Sequence, residues 1–188
     1  QLSMDMRFPL CNMGTEMGAM ASYIQPDEIT KAWFEGRATK PYRVFETDPG
    51  YEYDAVHEID VSDLGPQVAA PHAPDNVKPL AEVEGRHIDQ AFIGSCAGGR
   101  LEDIAIAASV VKGRKAHPDV RFIVTPGSRE VIRQATRLGY LDILHEANAI
   151  VTNANCGPCC GLHGGILAPG EVSIGSNTRN FKDRMGAN

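Results

Sequence analysis

The fold is decided by the stretch Ile88-Asp89-Gln90-Ala91-Phe92-Ile93-Gly94-Ser95-Cys96-Ala97-Gly98-Gly99. Its largely apolar run, residues 88–94, stops at small residues around Cys96, a pattern that predicts a buried strand followed by a tight loop. A second apolar run, residues 148–152, stops just before Cys156-Gly157-Pro158-Cys159-Cys160-Gly161. Cysteines therefore follow two predicted strands directly.

The region between these two runs alternates regularly. Apolar spacing predicts helices over residues 101–112 and 128–138 on either side of a strand over residues 120–125. With the two flanking strands this is a βαβαβ order, which implies a parallel sheet with right-handed crossovers. The carboxyl ends of such strands line one crevice. We therefore expect Cys96, Cys156 and Cys159 to meet there, in an α/β fold with helices flanking the sheet.

The three cysteines suit an iron-sulfur cluster. Thiolates hold such clusters, and glycine-rich turns allow backbone N–H groups to approach the sulfides. Three thiolates on a four-iron cube would leave one iron open to substrate as a Lewis acid. We expect Cys160 to point away from its neighbour in an extended loop, and Cys11 to be an inert buried thiol.

Other interpretations of the cysteines stay open. Cys-Gly-Pro-Cys is also the dithiol of thioredoxin-like proteins, although the glycines after Cys160 would not sustain the helix that this motif opens. A structural zinc site could use Cys96, Cys156, Cys159 and His163. Buried cysteines without chemistry are the third possibility.

The first part of the chain follows a different pattern. It combines a glycine-rich turn near residues 11–18 with a helix that Asp27 can cap. Residues 66–79 hold four prolines and no periodicity, so we predict an extended connector there. We expect residues 1–79 to be the C-terminal part of an α/β domain with this connector, and residues 80–188 to be a truncated cluster-bearing domain.

Composition limits the function classes. The chain has 188 residues, 43% of them hydrophobic, and a formal net charge of −6. This acidic balance argues against nucleic-acid and anionic-membrane partners. No apolar stretch has the length of a membrane span. Five cysteines are an odd number, which favours reduced thiols and a cytoplasmic location.

Four motifs, in order along the chain, resemble the aconitase family of iron-sulfur hydro-lyases. They are Asn12-Met13-Gly14-Thr15-Glu16, Ile93-Gly94-Ser95-Cys96 with Arg100-Leu101-Glu102-Asp103, Cys156-Gly157-Pro158-Cys159, and Arg179-Asn180-Phe181-Lys182-Asp183-Arg184. Lys112-Gly113-Arg114-Lys115 and His117-Pro118-Asp119-Val120 are similar to large subunits of the branch that acts on isopropylmalate, homoaconitate and 2,3-dimethylmalate. The family usually has Thr-Asn at Ala97-Gly98 and Asn at Thr178.

The resemblance implies roles for individual residues. Cys96, Cys156 and Cys159 would hold a 4Fe-4S cluster, and Asn12 and Glu16 would lie near its open iron as catalytic groups. Arg179, Arg184 and Arg100 would bind substrate carboxylates, for which the planar guanidinium fork is suited.

The implied activity is dehydration and rehydration of a 2-hydroxy dicarboxylic acid, foremost the isomerisation of 2- and 3-isopropylmalate. A separate swivelling small subunit would bring the serine that removes the substrate proton. Because family large subunits are considerably longer, we expect this chain to be an inner fragment that alone binds a cluster poorly and does not turn over. A non-catalytic iron-sensing or RNA-binding role is the alternative from another class.

Overall fold

A computed structural model describes residues 2–186, which form two compact units divided between Pro66 and Gln67. The expected domain boundary near residue 80 lies inside the second unit and stays a prediction. None of the helices in the described part of the chain is long and apolar enough to cross a membrane.

The first unit contains two short helices, α1 (Met4–Asn12) and α2 (Glu28–Phe34). A 3-10 turn over Met13–Met17 follows α1, so the region predicted as a glycine-rich turn is largely helical. The predicted cap of α2 is confirmed, because the Asp27 carboxylate accepts a hydrogen bond from the Thr30 N–H at 3.0 Å.

A buried arginine joins the two helices of this unit. The Arg7 guanidinium donates to both carboxylate oxygens of Asp27, at 2.8 and 2.6 Å, and also to the Thr30 hydroxyl at 3.0 Å. Such bidentate pairs fix orientation as well as charge. The Arg7 guanidinium, together with the Thr30 N–H, holds the pKa of the Asp27 carboxyl well below its usual range.

The second unit opens with an antiparallel hairpin. Strands β1 (Gln67–Ala69) and β2 (Val77–Pro79) pair from Gln67 opposite Pro79 to Ala69 opposite Val77. The segment predicted as an extended connector therefore contains a strand pairing that the prediction did not include. The edge of a two-stranded ribbon tolerates proline, because its N–H positions can face away from the ladder.

The main sheet is parallel, with the order β5-β4-β3-β6. Its strands are β3 (Gln90–Gly94), β4 (Arg121–Thr125), β5 (Ile150–Val151) and β6 (Ser173–Gly175). Strands β3, β4 and β5 are the three predicted ones, although β3 begins later and β5 is shorter than expected. The predicted parallel α/β architecture is confirmed.

Three helices pack on one face of this sheet: α3 (Leu101–Val111), α4 (Arg129–Arg137) and α5 (Tyr140–Glu146). Ser128 caps α4 as predicted, accepting from the Val131 N–H at 3.2 Å. The buried core joins these helices to the strands through Ile104, Ala107, Ala108, Phe122, Val124, Val131, Ala135, Leu144, Ala147 and Ala149.

Two elements were not predicted. Helix α5 begins directly after α4, and the two are separated because Gly139 adopts φ +74°, a left-handed conformation that ends α4. Strand β6 is three residues long and follows a Pro169-Gly170 turn, so its pattern is too short to recognise. Because β6 pairs with β3 on the side away from β4, the strand order reverses at β3.

An ion pair fastens the segment before β6 to the beginning of β4. Arg121 donates to the two Glu171 oxygens at 2.7 and 2.6 Å, and its Nε donates to Gln90 at 3.2 Å. Glu171 also accepts from the Ala168 N–H at 2.8 Å. The guanidinium and this N–H lower the pKa of Glu171 to about 2.

The first prediction concerns acid stability. A carboxyl whose pKa falls from 4.5 to about 2 on folding stabilises the protein above pH 4.5, and that contribution is lost as the pH drops towards 2. We expect Glu171→Gln to lower the thermal midpoint at neutral pH and to flatten its decline over this window. Thermal unfolding followed by circular dichroism, with Glu130→Gln on exposed α4 as control, measures both. If the thermal midpoints of the wild type and of Glu171→Gln fell in parallel as the pH drops, the lowered pKa of Glu171 would be contradicted.

The hairpin β1–β2 holds the C-terminal arginine segment. The Asn180 amide donates to the carbonyls of Ala69 and Ala70 at 3.1 and 2.8 Å, and His72 forms a parallel bridge with Phe181. The segment that was predicted as an extended connector therefore holds residues 179–184 in place.

The second prediction tests this attachment. Asn180→Ala removes both hydrogen bonds, each worth about 1 kcal/mol, so we expect a loss of roughly 1–2 kcal/mol in unfolding free energy. Protease cleavage within residues 179–184 should accelerate in the same variant. Urea unfolding and limited proteolysis provide the measurements, and Asn153→Ala, at an exposed asparagine, is the control. Equal cleavage rates in the two variants would refute the role of the hairpin.

Candidate functional site

The candidate site lies at the carboxyl ends of the parallel strands. Cys96 lies two residues after β3, and Cys156 follows β5 after a short loop. Strand β4 lies between these two strands in the sheet. It ends at Thr125, and Pro126 and Gly127 follow it.

The Cys96 turn packs backbone against backbone. A Cβ on Gly99 would lie 2.4 Å from the Thr125 carbonyl oxygen, and one on Gly98 would lie 2.0 Å from that of Ser176. Only glycine fits such contacts. Gly127 N–H donates to the Gly99 carbonyl at 2.7 Å, which fastens the turn to the end of β4. Cys96 itself stays exposed on this buried base.

The Cys156 loop forms a short 3-10 turn over Gly157–Cys160. The expectation of an extended loop around Cys160 was wrong, because Pro158 favours a helical start and Gly161 ends the turn with φ +65°. The Cys160 thiol donates to the Cys156 carbonyl at 3.6 Å. Cys160 is thereby folded back towards the Cys156 carbonyl.

Four thiols interact electrostatically at this edge of the sheet. Burial raises the pKa of the Cys156 thiol, and the neighbouring sulfurs of Cys160, Cys96 and Cys159 raise it further. Each neighbour does so because a second negative charge nearby disfavours the thiolate. The sulfur of Cys96 is thus within electrostatic reach of Cys156, although β4 separates their strands. All five cysteines of the chain are free thiols.

Thiols are the donor groups at this edge of the sheet, and both iron-sulfur clusters and structural zinc sites take thiolate ligands. Within residues 2–186, no three His, Cys, Asp or Glu side chains are grouped to hold one metal ion. The type of donor, thiolate from cysteines beside glycine-rich turns, fits the cluster expected from the sequence.

Arg184 lies against the cysteine loop. Its carbonyl oxygen would be 2.7 Å from a Cβ on Gly161, so the two backbones are in contact. Its Nε is buried and has no hydrogen-bond partner among the described residues. A buried donor without a partner costs about 1–3 kcal/mol, and an anionic ligand would recover this cost.

The other two predicted substrate arginines flank the same edge. Arg100 begins α3 right after the Cys96 turn, and its Cδ would lie 3.6 Å from a Cβ on Gly127. Arg179 lies in the segment that Asn180 ties to the hairpin, and the Asn177 amide donates to its carbonyl at 2.6 Å. The structure thus brings Arg100 and Arg184 to the strand ends that carry the cysteines.

The remaining predicted residues are three in the first unit and one in the second. Asn12 ends α1 and Glu16 lies in the following 3-10 turn, both in the first unit, together with Cys11. His163 is exposed, and its ring carbon would lie 3.4 Å from a Cβ on Gly157. The catalytic roles of Asn12 and Glu16 stay predictions.

Sequence reasoning missed three polar groups at the strand ends. The Thr125 and Thr152 hydroxyls share a hydrogen bond of 2.8 Å beneath the cysteine loops. Asn155 Oδ1 is buried without a partner among the described residues, one position before Cys156. Ser176 bonds to the Cys96 turn. Thr125 ends β4, Thr152 and Ser176 directly follow β5 and β6, and Asn155 lies in the loop after β5. These places at the strand ends were the signal that could have found them, once β6 was recognised.

Comparison with known proteins gives consistent matches along the chain. A family model described as "Aconitase family (aconitate hydratase)" matches residues 1–86 and 79–188. A 3-isopropylmalate dehydratase large subunit from Desulfitobacterium hafniense is 49% identical over 98% of this chain and 44% of its own length. One named "3-isopropylmalate dehydratase large subunit 1", from Methanopyrus kandleri, is 50% identical over 99% of this chain and 44% of its own length.

A third relative carries a different name. A probable methanogen homoaconitase large subunit from Methanothermobacter thermautotrophicus is 50% identical over 98% of this chain and 44% of its own length. The chain therefore spans less than half the length of the curated relatives it matches. The family match covers nearly every residue and the relatives are close, so this chain belongs to the aconitase family.

Proposed function

We propose that the chain is the cluster-bearing part of the large subunit of a 4Fe-4S hydro-lyase that isomerises 2- and 3-isopropylmalate. The observation that carries this proposal is the placement of Cys96 after β3 and of Cys156 and Cys159 after β5, at the carboxyl edge of one parallel sheet. The names of the two dehydratase relatives support the choice of substrate.

The chain's own cysteines would hold the cluster. Cys96, Cys156 and Cys159 are the ligands in this proposal, and Cys160, folded back onto the Cys156 carbonyl, supports the loop that carries two of them. When bound, such a cluster supplies an open iron that polarises a hydroxyl group as a Lewis acid.

Arginines would orient the substrate. Arg184 offers a buried donor without a partner among the described residues, and Arg100 and Arg179 approach from the turn after β3 and from the hairpin side. Two carboxylates held by planar forks keep the carbon skeleton fixed between dehydration and rehydration. Asn12 and Glu16 keep, in this proposal, the catalytic roles that the family resemblance implies for them.

The proposal includes a partner. The relatives of this chain are named large subunits. We therefore infer a separate small subunit that contributes the proton-abstracting serine. Five free thiols favour a reducing compartment, and a cytoplasmic location is part of the proposal. The net charge of −6 speaks against nucleic acid as a partner.

Homoaconitase activity is the second candidate. The methanogen relative with that name is as similar to this chain as the dehydratase relatives are. A 2,3-dimethylmalate dehydratase belongs to the same class. The substrates of these three enzymes share a hydroxyl and two carboxylates, and Arg100, Arg179 and Arg184 would bind the carboxylates. The substrates differ in their side chains.

The third prediction tests the cluster ligands. Because the chain alone is expected to bind a cluster poorly, iron and sulfide are supplied in excess under anaerobic conditions, and they should give a brown protein that contains both elements. Cys96→Ser, Cys156→Ser and Cys159→Ser should each bind at least ~10-fold less iron, because each removes a direct ligand. Absorbance and metal analysis measure the loss. Cys11→Ser is the matched control, and equal loss in that variant, or a colourless zinc protein, would rule out the assignment.

The fourth prediction concerns Arg184. In the cluster-loaded chain, Arg184→Ala should weaken binding of 2-isopropylmalate by about 10- to 100-fold, because a hydrogen bond to a charged group contributes roughly 1.5–3 kcal/mol. Arg184→Lys should recover only part of the affinity for 2-isopropylmalate, since lysine keeps the positive charge but lacks the planar fork. Titration of the cluster's paramagnetic resonance signal gives the affinity, and Arg137→Ala at the exposed end of α4 is the control. Unchanged affinity in Arg184→Ala would remove Arg184 from the proposal.

A further inference from the structure

We propose that Ser176 is a positioning residue for Cys96, with a hydroxyl that fastens the two ends of the turn that carries the thiol. This inference rests on the proposed function of Cys96 as a cluster ligand and extends it to a residue on another strand. Ser176 directly follows β6, the strand at the edge of the sheet beside β3.

The hydroxyl of Ser176 makes two hydrogen bonds around Cys96. It accepts from the Gly94 N–H at 3.1 Å and donates to the Gly98 carbonyl at 2.6 Å. Gly94 ends β3 and Gly98 lies two residues after Cys96, so one oxygen atom bridges the start and the end of the turn. The Ser176 N–H also donates to the Phe92 carbonyl at 3.0 Å, which anchors the serine to β3.

Close packing makes this contact specific. A Cβ on Gly98 would lie 2.0 Å from the Ser176 carbonyl oxygen and 2.6 Å from its hydroxyl oxygen. The turn and residue 176 therefore touch through backbone atoms, without room for a side chain between them. Only a short side chain that both donates and accepts can bridge the two groups, and serine and threonine have this property.

The position of Ser176 also links two parts of the site. The next residue, Asn177, donates from its amide to the Arg179 carbonyl at 2.6 Å. Ser176 thus lies where the turn of a proposed cluster ligand meets the segment of the proposed carboxylate-binding arginines. Loss of its hydroxyl would loosen the Cys96 turn, and the cluster would then be held less firmly by one of its three thiolates.

The same strand provides a matched control. Ser173 begins β6 and has a buried hydroxyl without a partner among the described residues. Ser173→Ala removes a serine hydroxyl from the first residue of β6 but leaves the Cys96 turn untouched. A general weakening of β6 would affect both variants, whereas a positioning role affects Ser176→Ala alone.

The experiment has one measurement without the cluster and one with it. In the cluster-free chain, amide hydrogen exchange of Gly94 should accelerate about fivefold in Ser176→Ala, the factor expected for loss of one ordinary hydrogen bond. In the chain loaded anaerobically with iron and sulfide, release of iron to a chelator should accelerate by a similar factor. Ser173→Ala should match the wild type in both, and Ser176→Thr, which keeps the hydroxyl, should restore most of the protection.

Each outcome decides the matter. Equal Gly94 exchange and equal iron release in Ser176→Ala and Ser173→Ala would overturn the positioning role. If the wild-type chain takes up no iron while Gly94 exchange still responds to Ser176→Ala, the proposed function is overturned. The hydrogen bonds by which Ser176 holds the Cys96 turn are then still supported. If Ser176→Ala does not fold, the wild type decides by itself, because a Gly94 amide that exchanges without protection would contradict the bond to Ser176.

Discussion

Close contact between backbones at the carboxyl edge of the sheet is the constraint on which the site depends. Gly98 and Gly99 allow the turn after β3 to rest directly on Ser176 and on the end of β4. A side chain at either position would lift the turn and carry Cys96 away from the Cys156 loop. Cys96 and the Cys156 loop thus lie at the same edge of the sheet, on either side of β4.

The consequence for electrostatics is direct. Bringing sulfurs together raises the pKa of Cys156, through burial and through its neighbours, so the arrangement is unfavourable to thiolates without a compensating positive charge. Contacts remote from the thiols, notably the helix core and the Arg121–Glu171 pair, hold the second unit together. The fold therefore keeps these cysteines at one edge of the sheet.

Much of this architecture could be predicted from the sequence. The three longest periodic runs gave the βαβαβ order, and capping signals at Asp27 and Ser128 were correct. The strand order could not be derived, because β6 is only three residues long and its pairing with β3 is a tertiary effect. The hairpin escaped notice because its prolines suppress the alternation by which strands are recognised, and Cys160 was misplaced because Pro158 and Gly161 favour a tight turn.

The attachment of Asn180 to the hairpin determines when the arginine segment can reach its final place. Its partners, Ala69 and Ala70, lie 111 and 110 residues earlier in the chain. Closing so long a loop costs conformational entropy that local contacts cannot offset, so this closure belongs to the late stages of folding. During synthesis β3, β4 and β5 can therefore pair before the arginine segment attaches to the hairpin.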